Sequence, residues 1–273
     1  MSGSALQVQA LTAGYRGLPV ITDLTLPASH PGELVALVGP NAAGKSTLLR
    51  AMAHLVSCRG SVRLGDEDLL AMTPAERAKR IGFMPQLGGQ ELRLTVLEAV
   101  ISALSAGAGW SGDPLPTAVA VLERLGIGAL AMRELAALSG GQRLLAGLAQ
   151  AIAREAPVLL LDEPTSALDL AHQWQVMAAI RQLADGGRIV IVVLHDLALA
   201  ARWADRLIVL SEGRLVASGR PTDVLTTDLL STVYGVEAAV LSDGAGGVFV
   251  RIDDLVSGIQ GVFDGRDPDR HPA

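Results

Sequence analysis

Three short segments combine residue types that handle phosphate, metal ions and water. The first, residues 39–47, reads Gly-Pro-Asn-Ala-Ala-Gly-Lys-Ser-Thr and lies between an apolar run and a helical pattern. Small residues let main-chain N–H groups approach phosphates, and the helix adds the positive end of its dipole. Lys45 is predicted to reach the β- and γ-phosphates and the Ser46 hydroxyl to bind Mg²⁺. The alternative is a glycine-rich turn without a ligand. A backbone that needs a positive φ at Ala42 would be strained.

The second segment is a pair of carboxylates, Asp162 and Glu163, that follows four consecutive aliphatic residues. In enzymes with a phosphate loop, a carboxylate at the end of such a strand is the second metal ligand, which predicts this role for Asp162. Glu163 can polarise a water molecule for attack on the γ-phosphate. The alternative is an Asp-Glu-Pro turn that closes a buried strand.

The third segment, residues 138–142, reads Leu-Ser-Gly-Gly-Gln and precedes an Ala- and Leu-rich helix predicted over residues 143–154. The Ser139 hydroxyl, the glycine N–H groups and the helix dipole together predict a second anion site. Considered alone, a Ser-Gly-Gly turn is more often a helix cap.

Short apolar runs must position these segments. Residues 33–39, 158–161 and 188–194 read as buried strands, and they end at the glycine-rich loop, at the two carboxylates and at His195. Near-continuous apolar strands predict an α/β fold with a parallel sheet covered on both faces. Such sheets bind ligands beyond the carboxyl ends of their strands.

A region of helical pattern lies between the first two of these strands. Residues 95–104 and 115–125 read as helices, and a Gly-, Ser- and Pro-rich stretch, residues 105–116, separates them. We therefore predict a helical insertion over about residues 88–155. The polar, Pro-containing residues 264–273 are predicted to be a disordered tail.

Composition limits the class of protein. The 273 residues are 50% hydrophobic and 18% charged, a globular composition, and the net charge of −6 argues against a large nucleic-acid surface. The single cysteine, Cys58, cannot form an internal disulfide. The strongly apolar runs are four to six residues long, whereas a spanning helix needs roughly 20. Because the N-terminal residues lack a signal-peptide pattern, we expect any membrane role to come through a partner.

The order of the three segments resembles the ATP-binding cassette (ABC) ATPase family over about residues 5–240. The resemblance implies an α/β fold: a RecA-like P-loop core with a parallel sheet, an antiparallel β subdomain and an inserted helical subdomain. It implies a nucleotide-binding domain over residues 1–240, followed by a C-terminal extension over residues 241–263. ATP and Mg²⁺ are the cofactors it implies.

The resemblance also implies roles for individual residues. Tyr15 matches the aromatic residue that stacks on adenine, and Gln86 the lid-loop glutamine that contacts the metal and senses the transmembrane partner. Ser166 and Asp169 match the loop that crosses to a second subunit, and His195 the switch histidine at the γ-phosphate. The implied catalytic residues are Glu163, His195 and Gln86, and the implied metal-site residues are Ser46, Gln86 and Asp162. ATP would be bound by Tyr15, Gly39, Pro40, Asn41, Ala42, Ala43, Gly44, Lys45, Ser46 and Thr47, and in trans by Ser139, Gly140, Gly141 and Gln142.

In this family two cassettes pack head to tail, so that the loop of one chain is closed by the Ser-Gly-Gly of the other. One loop and one such segment per chain imply a homodimer with two ATP sites. The further partners implied are a transmembrane permease and, acting through it, an extracytoplasmic substrate-binding protein, with no nucleic acid. The implied location is the cytoplasmic face of the inner membrane, as a peripheral subunit.

Several stretches resemble those of ATPases that import iron chelates. They are residues 169–173, residues 213–221, the Val-Tyr-Gly-Val at 233–236, and residues 247–252. The resemblance favours a ferric siderophore as cargo, with haem and cobalamin as alternatives. Two other classes remain open: a non-transport ABC ATPase acting on DNA or ribosomes, and a phosphate-loop kinase for small molecules, which would leave Ser139 to Gln142 without a role.

Overall fold

The computed structural model of the chain describes residues 4–86, 93–105, 112–166, 168–242 and 247–256. The strands in these ranges are β1 (Leu6–Tyr15), β2 (Leu18–Ser29), β3 (Leu34–Val38), β4 (Cys58–Leu64), β5 (Glu67–Asp68), β6 (Ile81–Met84), β7 (Val158–Asp162), β8 (Ile189–Val193), β9 (Arg206–Ser211), β10 (Arg214–Gly219), β11 (Val236–Ser242) and β12 (Val248–Leu255). The helices are α1 (Lys45–Met52), α2 (Pro74–Arg77), α3 (Val96–Ser105), α4 (Pro114–Arg124), α5 (Gly140–Ala153), α6 (Leu170–Asp185), α7 (Leu197–Trp203), α8 (Pro221–Val224) and α9 (Thr227–Tyr234).

The central sheet has the strand order β10-β9-β3-β8-β7-β6. Its strands are parallel except β10, which pairs antiparallel with β9 at one edge. The three apolar runs of the sequence form β3, β7 and β8, which are buried along their whole length. The predicted parallel sheet is therefore confirmed, and the carboxyl ends of these three strands meet at one edge.

A second sheet of order β2-β1-β4-β5 is antiparallel throughout. Between the two sheets lies one apolar cluster, which includes Val35 and Leu37 of β3 together with residues of α1. A second cluster on the other face of the central sheet includes Leu34 and Ala36 of the same strand. Successive side chains of a strand point to opposite faces of the sheet, so these strands contribute to both clusters. This explains why they are apolar at every position.

The helical insertion contains α3, α4 and α5, which pack against one another. Helix α5 begins three residues before the predicted start at 143, because Ser139 caps it there. It also packs on β6 and β7, so it joins the insertion to the sheet. Parts of the predicted insertion, residues 88–92 and 106–111, lie outside the described residues.

The C-terminal part of the described chain is a two-stranded antiparallel hairpin of β11 and β12. The expected boundary between residues 240 and 241 falls inside β11, because the strand begins at Val236, directly after α9. The predicted disordered tail, residues 264–273, lies outside the described residues. Within the described ranges, no helix has the length and apolar character needed to cross a membrane.

Candidate functional site

Residues 39–47, the phosphate loop, connect β3 to α1 through backbone conformations that favour glycine. Gly39 has φ 146° and Gly44, the N-cap of α1, has φ 97°. Ala42 has φ 61°, so the strain expected at this non-glycine position is present. In the described part of the chain, no group accepts a hydrogen bond from the main-chain N–H of Gly44, Lys45 or Ser46. These donors are therefore free for an anion at the start of the helix.

Lys45 folds back onto its own loop. Its Nζ donates to the carbonyl oxygens of Gly39 at 2.8 Å and Pro40 at 2.7 Å. Burial lowers the pKa of Lys45, whereas the nearby carboxylates of Glu163 and Asp162 raise it. A phosphate would offer this desolvated ammonium group a stronger, charged partner than two carbonyls.

Asp162 is completely buried at the end of β7. Its Oδ1 accepts a hydrogen bond from Ser46 Oγ at 2.9 Å, and its Oδ2 has no hydrogen-bond partner among the described residues. Burial raises the pKa of Asp162, against the Ser46 hydrogen bond and the charge of Arg50, which lower it. A carboxylate oxygen without a partner at such a place is a position for a cation.

Glu163 lies at the centre of a three-residue network. Its Oε2 accepts a hydrogen bond from Gln86 Nε2 at 2.9 Å, and its Oε1 lies 2.6 Å from His195 Nε2. Because a carboxylate only accepts, Nε2 of His195 carries the proton in this contact. Glu163 has φ 56°, a left-handed backbone conformation that is unfavourable for a residue other than glycine. Backbone strain of this kind is concentrated at functional sites.

The phosphate loop and the residues that follow β7 and β8 form one edge of the central sheet, called the loop edge below. An open cavity of about 370 Å³ lies at this edge. It is lined by Val20, Asn41, Ala42, Ala43, Gly44, Lys45, Ser46, Thr47, Gln86, Glu163 and His195. Most of the residues assigned from the sequence to ATP and to catalysis are thus brought together. Tyr15 does not line this cavity; it lies at the end of β1, where its hydroxyl accepts a hydrogen bond from Arg50 Nη1 at 3.2 Å.

Two residues of this region were missed by the sequence reasoning. Arg50 contacts Tyr15 and lowers the pKa of Asp162, and Val20 of β2 lines the cavity. Arg50 lies four residues after Ser46, on the same face of α1, so helical spacing could have identified it. Val20 reaches the loop only because the antiparallel sheet packs beside it, and the sequence carries no signal for that.

The signature segment, residues 138–142, lies outside the cavity. Ser139 Oγ accepts from the Gln142 N–H at 3.3 Å, and Gln142 Oε1 accepts from the Ser139 N–H at 3.2 Å. Ser139 and Gly140 are exposed, and no described group accepts a hydrogen bond from the N–H of Gly140 or Gly141. The segment therefore forms a helix cap, as its sequence allows, and also presents free donors to an anion from outside the chain.

Residues 166–169 form the predicted crossing loop. Ser166 and Asp169 are exposed, and residue 167 lies outside the described residues. Ser166 Oγ donates to the Glu163 carbonyl at 3.2 Å, which ties the loop to the strained residue. Asp169 caps α6 by accepting from the His172 N–H at 2.9 Å. Hydrogen bonds from His172 lower the pKa of Asp169.

The residues at this site fit a magnesium ion and a nucleoside triphosphate. The free carboxylate oxygen of Asp162, the Ser46 hydroxyl and the Gln86 amide are hard oxygen ligands of the type Mg²⁺ takes alongside substrate phosphates. The free N–H groups at the start of α1 suit the phosphates.

Known proteins give an independent comparison. The family model for ABC transporters matches residues 23–166, more than half of the chain. The hemin import ATP-binding protein HmuV of Rhodococcus jostii is 43% identical over 238 residues, which cover 85% of this chain and 80% of that protein. The cobalamin import ATP-binding protein BtuD of Halobacterium salinarum is 39% identical, with 89% of this chain matching 62% of its length.

A solved structure has the same fold as this chain. An inward-facing transporter assigned to the metal-chelate type of ABC transporters superposes with a TM-score of 0.75 and 26% identity, covering 94% of this chain and 99% of the matched chain. This match confirms the predicted RecA-like α/β fold. The chain belongs to the ABC transporter family, as an ATP-binding subunit that resembles those of the iron-siderophore, haem and vitamin B12 importers.

Proposed function

We propose that this chain is the motor subunit of an importer and that it hydrolyses ATP to drive the uptake of a metal chelate through a membrane permease. The observation that carries the proposal is the network in which Glu163, at the end of β7, contacts both Gln86 and His195 beside the phosphate loop. The contacts support the proposal because they join the residues to which it gives the roles of general base, metal ligand and γ-phosphate contact.

Binding of ATP would use the free N–H groups of the loop and the Lys45 ammonium. Lys45 would leave the carbonyls of Gly39 and Pro40 for the β- and γ-phosphates, exchanging neutral acceptors for charged ones. Ser46, Asp162 and Gln86 would hold Mg²⁺, which neutralises phosphate charge when bound. Tyr15 would contact the adenine from the end of β1.

Hydrolysis would use Glu163 to polarise the attacking water. Both oxygens of its carboxylate are engaged by Gln86 and His195. Each carboxylate oxygen has a second acceptor site, so Glu163 can accept a hydrogen bond from water beside these contacts. Opening of the contact with His195 would free that residue to contact the γ-phosphate.

A second copy of the chain would complete the site. The donors of Gly140 and Gly141 have no acceptor in the described chain and lie outside the cavity of the phosphate loop. We propose that they bind the γ-phosphate held by the loop of the other copy, with Ser139 and Gln142 beside them, and that residues 166–169 contact that copy. Each homodimer would then contain two ATP sites.

For the cargo, the names of the relatives favour haem first and cobalamin second. A ferric siderophore remains the cargo that the sequence resemblance favours. All three are metal chelates, in agreement with the type assigned to the matched transporter. A permease and an extracytoplasmic binding protein would select the cargo, and the chain would act as a peripheral subunit on the cytoplasmic face of the inner membrane.

The cargo can be tested by deleting the gene and measuring uptake of labelled haem, cobalamin and a ferric siderophore. We expect loss of haem uptake, restored by the wild-type chain and not by Glu163→Gln. Loss of only cobalamin or only siderophore uptake would replace haem by that cargo. Unchanged uptake of all three would contradict the proposed transport function.

A further inference from the structure

The Val-Tyr-Gly-Val stretch at residues 233–236 has no role in the site described so far. In the structure it forms the end of α9 and the start of β11. Gly235 has φ 68° and caps the helix, donating its N–H to carbonyls of the last turn. This cap fixes Tyr234 as the last helical residue and turns the chain into the C-terminal hairpin.

Tyr234 directs a polar group into the protein interior. Its side chain packs against the large apolar cluster that includes Leu34 and Ala36 of β3. Its hydroxyl is buried and has no partner that meets hydrogen-bond geometry among the described residues. A buried hydroxyl without a partner costs folding free energy, so its retention calls for an explanation.

A polar group of the first residue of the phosphate loop acts on this hydroxyl. Burial raises the pKa of Tyr234 to about 12, and the main-chain N–H of Gly39 acts in the opposite direction, as a donor toward the phenol oxygen. The hydroxyl is therefore protonated at neutral pH. Because the contact falls short of full hydrogen-bond geometry, both the N–H and the hydroxyl retain capacity for a closer contact.

Gly39 is held on its other sides as well. Its carbonyl accepts the hydrogen bond from Lys45 Nζ, and a Cβ at this position would lie 2.0 Å from the Leu210 carbonyl oxygen. The Gly39 residue thus connects Tyr234 on its N–H side to Lys45 on its carbonyl side. When Lys45 leaves for a phosphate, the loop loses one of the contacts that hold Gly39.

We propose that Tyr234 is a positioning residue for the phosphate loop, whose hydroxyl closes onto the Gly39 N–H and holds that residue in place when Lys45 moves to the nucleotide. The inference rests on the proposed ATP site. It assigns the Val-Tyr-Gly-Val stretch a function, because Tyr234 would hold the phosphate loop in place through Gly39. A contact that is closer in the nucleotide-bound state contributes to ATP affinity and not to the stability of the free chain.

The test is Tyr234→Phe, which removes only the hydroxyl. We expect the KM for ATP, measured by steady-state ATPase with excess Mg²⁺, to rise about three- to tenfold, the range of one neutral hydrogen bond. The kcat should change less than about twofold, because the reacting groups are untouched. The Tm of the nucleotide-free protein should stay the same or rise, because a poorly satisfied buried hydroxyl has been removed.

Thr232→Val is the matched control, since it deletes a hydroxyl on the same helix that donates to the Asp228 carbonyl. We expect the KM for ATP to be unchanged in this variant. A Tyr234→Phe protein with wild-type KM, or one in which KM rises only with a lowered Tm, overturns the inference. Failure of the wild-type chain to bind or hydrolyse ATP would instead contradict the proposed function.

Discussion

The phosphate-loop edge and the signature segment carry similar groups in opposite situations. At the loop edge, side chains from separate parts of the chain contact one another: Ser46 with Asp162, and Glu163 with both Gln86 and His195. In the signature segment, the side chains of Ser139 and Gln142 each accept a hydrogen bond from the other residue's main-chain N–H, and Ser139 and Gly140 are exposed.

The difference follows from topology. The strand order places the carboxyl ends of β3, β7 and β8 side by side, so one chain assembles the loop edge by itself. The signature segment begins a helix of the insertion and lies outside the cavity. We therefore propose that one region is a nearly complete catalytic site and that the other is a binding surface that needs a second chain.

The largest expected effect comes from removing the charge at the centre of the loop edge. Glu163→Gln should lower kcat for ATP by at least about 100-fold, because an amide cannot act as the general base. Nucleotide affinity should remain, since Lys45 and the free N–H groups are unchanged. Steady-state ATPase and ATP binding are the measurements.

Glu155→Gln provides the control for this change. Glu155 is also a non-glycine residue with positive φ, at 52°, but it is exposed and does not line the cavity. We expect wild-type turnover in this variant. Normal turnover in Glu163→Gln itself would contradict the proposed role.

The next change, Asp162→Asn, should affect the stability and the ATPase activity of the protein differently. Burial raises the pKa of Asp162 above its ordinary value of 3.8, so the folded chain holds a proton more tightly than the unfolded chain. The wild-type protein therefore loses stability as pH rises from the ordinary value through the raised one. In the nucleotide-free Asp162→Asn variant this loss should be absent, while Mg²⁺-dependent ATPase falls about 100-fold or more.

Urea unfolding of both proteins at several pH values, without nucleotide, measures the first effect. The free energy of unfolding of the variant, relative to wild type, should increase as pH rises above 3.8. A difference that is constant with pH would show that the buried carboxylate carries no such cost.

The smallest effect concerns the strained loop residue. Ala42→Gly should raise the free energy of unfolding by about 0.5–1 kcal/mol, because relief of the left-handed conformation exceeds the added entropy of the unfolded chain. Ala43→Gly is the control; Ala43 is buried and has no positive φ, so this change should destabilise. Equal destabilisation by both changes, measured by urea unfolding, would contradict the strain at Ala42.

Much of the loop edge could be predicted because its residues follow recognisable strands. Asp162 and Glu163 come directly after an aliphatic run, and parallel strands bring their carboxyl ends together, so their position beside Lys45 follows from local patterns. The parallel sheet was predicted from the same apolar runs, and the helical insertion from the helical pattern between the first two of them.

Other features depend on contacts between parts of the chain that are distant in sequence. Three examples are the position of Val20 beside the phosphate loop, the contact of Arg50 with Tyr15, and the packing of Tyr234 against the apolar cluster. All three arise from tertiary packing, which local periodicity does not encode. The start of β11 at Val236 was missed because a two-stranded hairpin has too weak a pattern to mark its boundary.

The central claim is that each ATP site is built from the loop edge of one copy and the signature segment of another. Glu163→Gln and Ser139→Arg alter one region each, and both should bind ATP without turning it over. Ser139 is exposed, so arginine there is tolerated by the fold, apart from the loss of a helix cap that costs about 1 kcal/mol.

The most direct test is to mix the two inactive variants and measure ATP hydrolysis. In a mixed dimer, the Ser139→Arg chain supplies an intact Glu163 and the Glu163→Gln chain supplies an intact Ser139, so one site is restored. We predict that activity appears on mixing, while each variant alone stays inactive. A mixture as inactive as its components, or full activity of Ser139→Arg alone, would contradict the account.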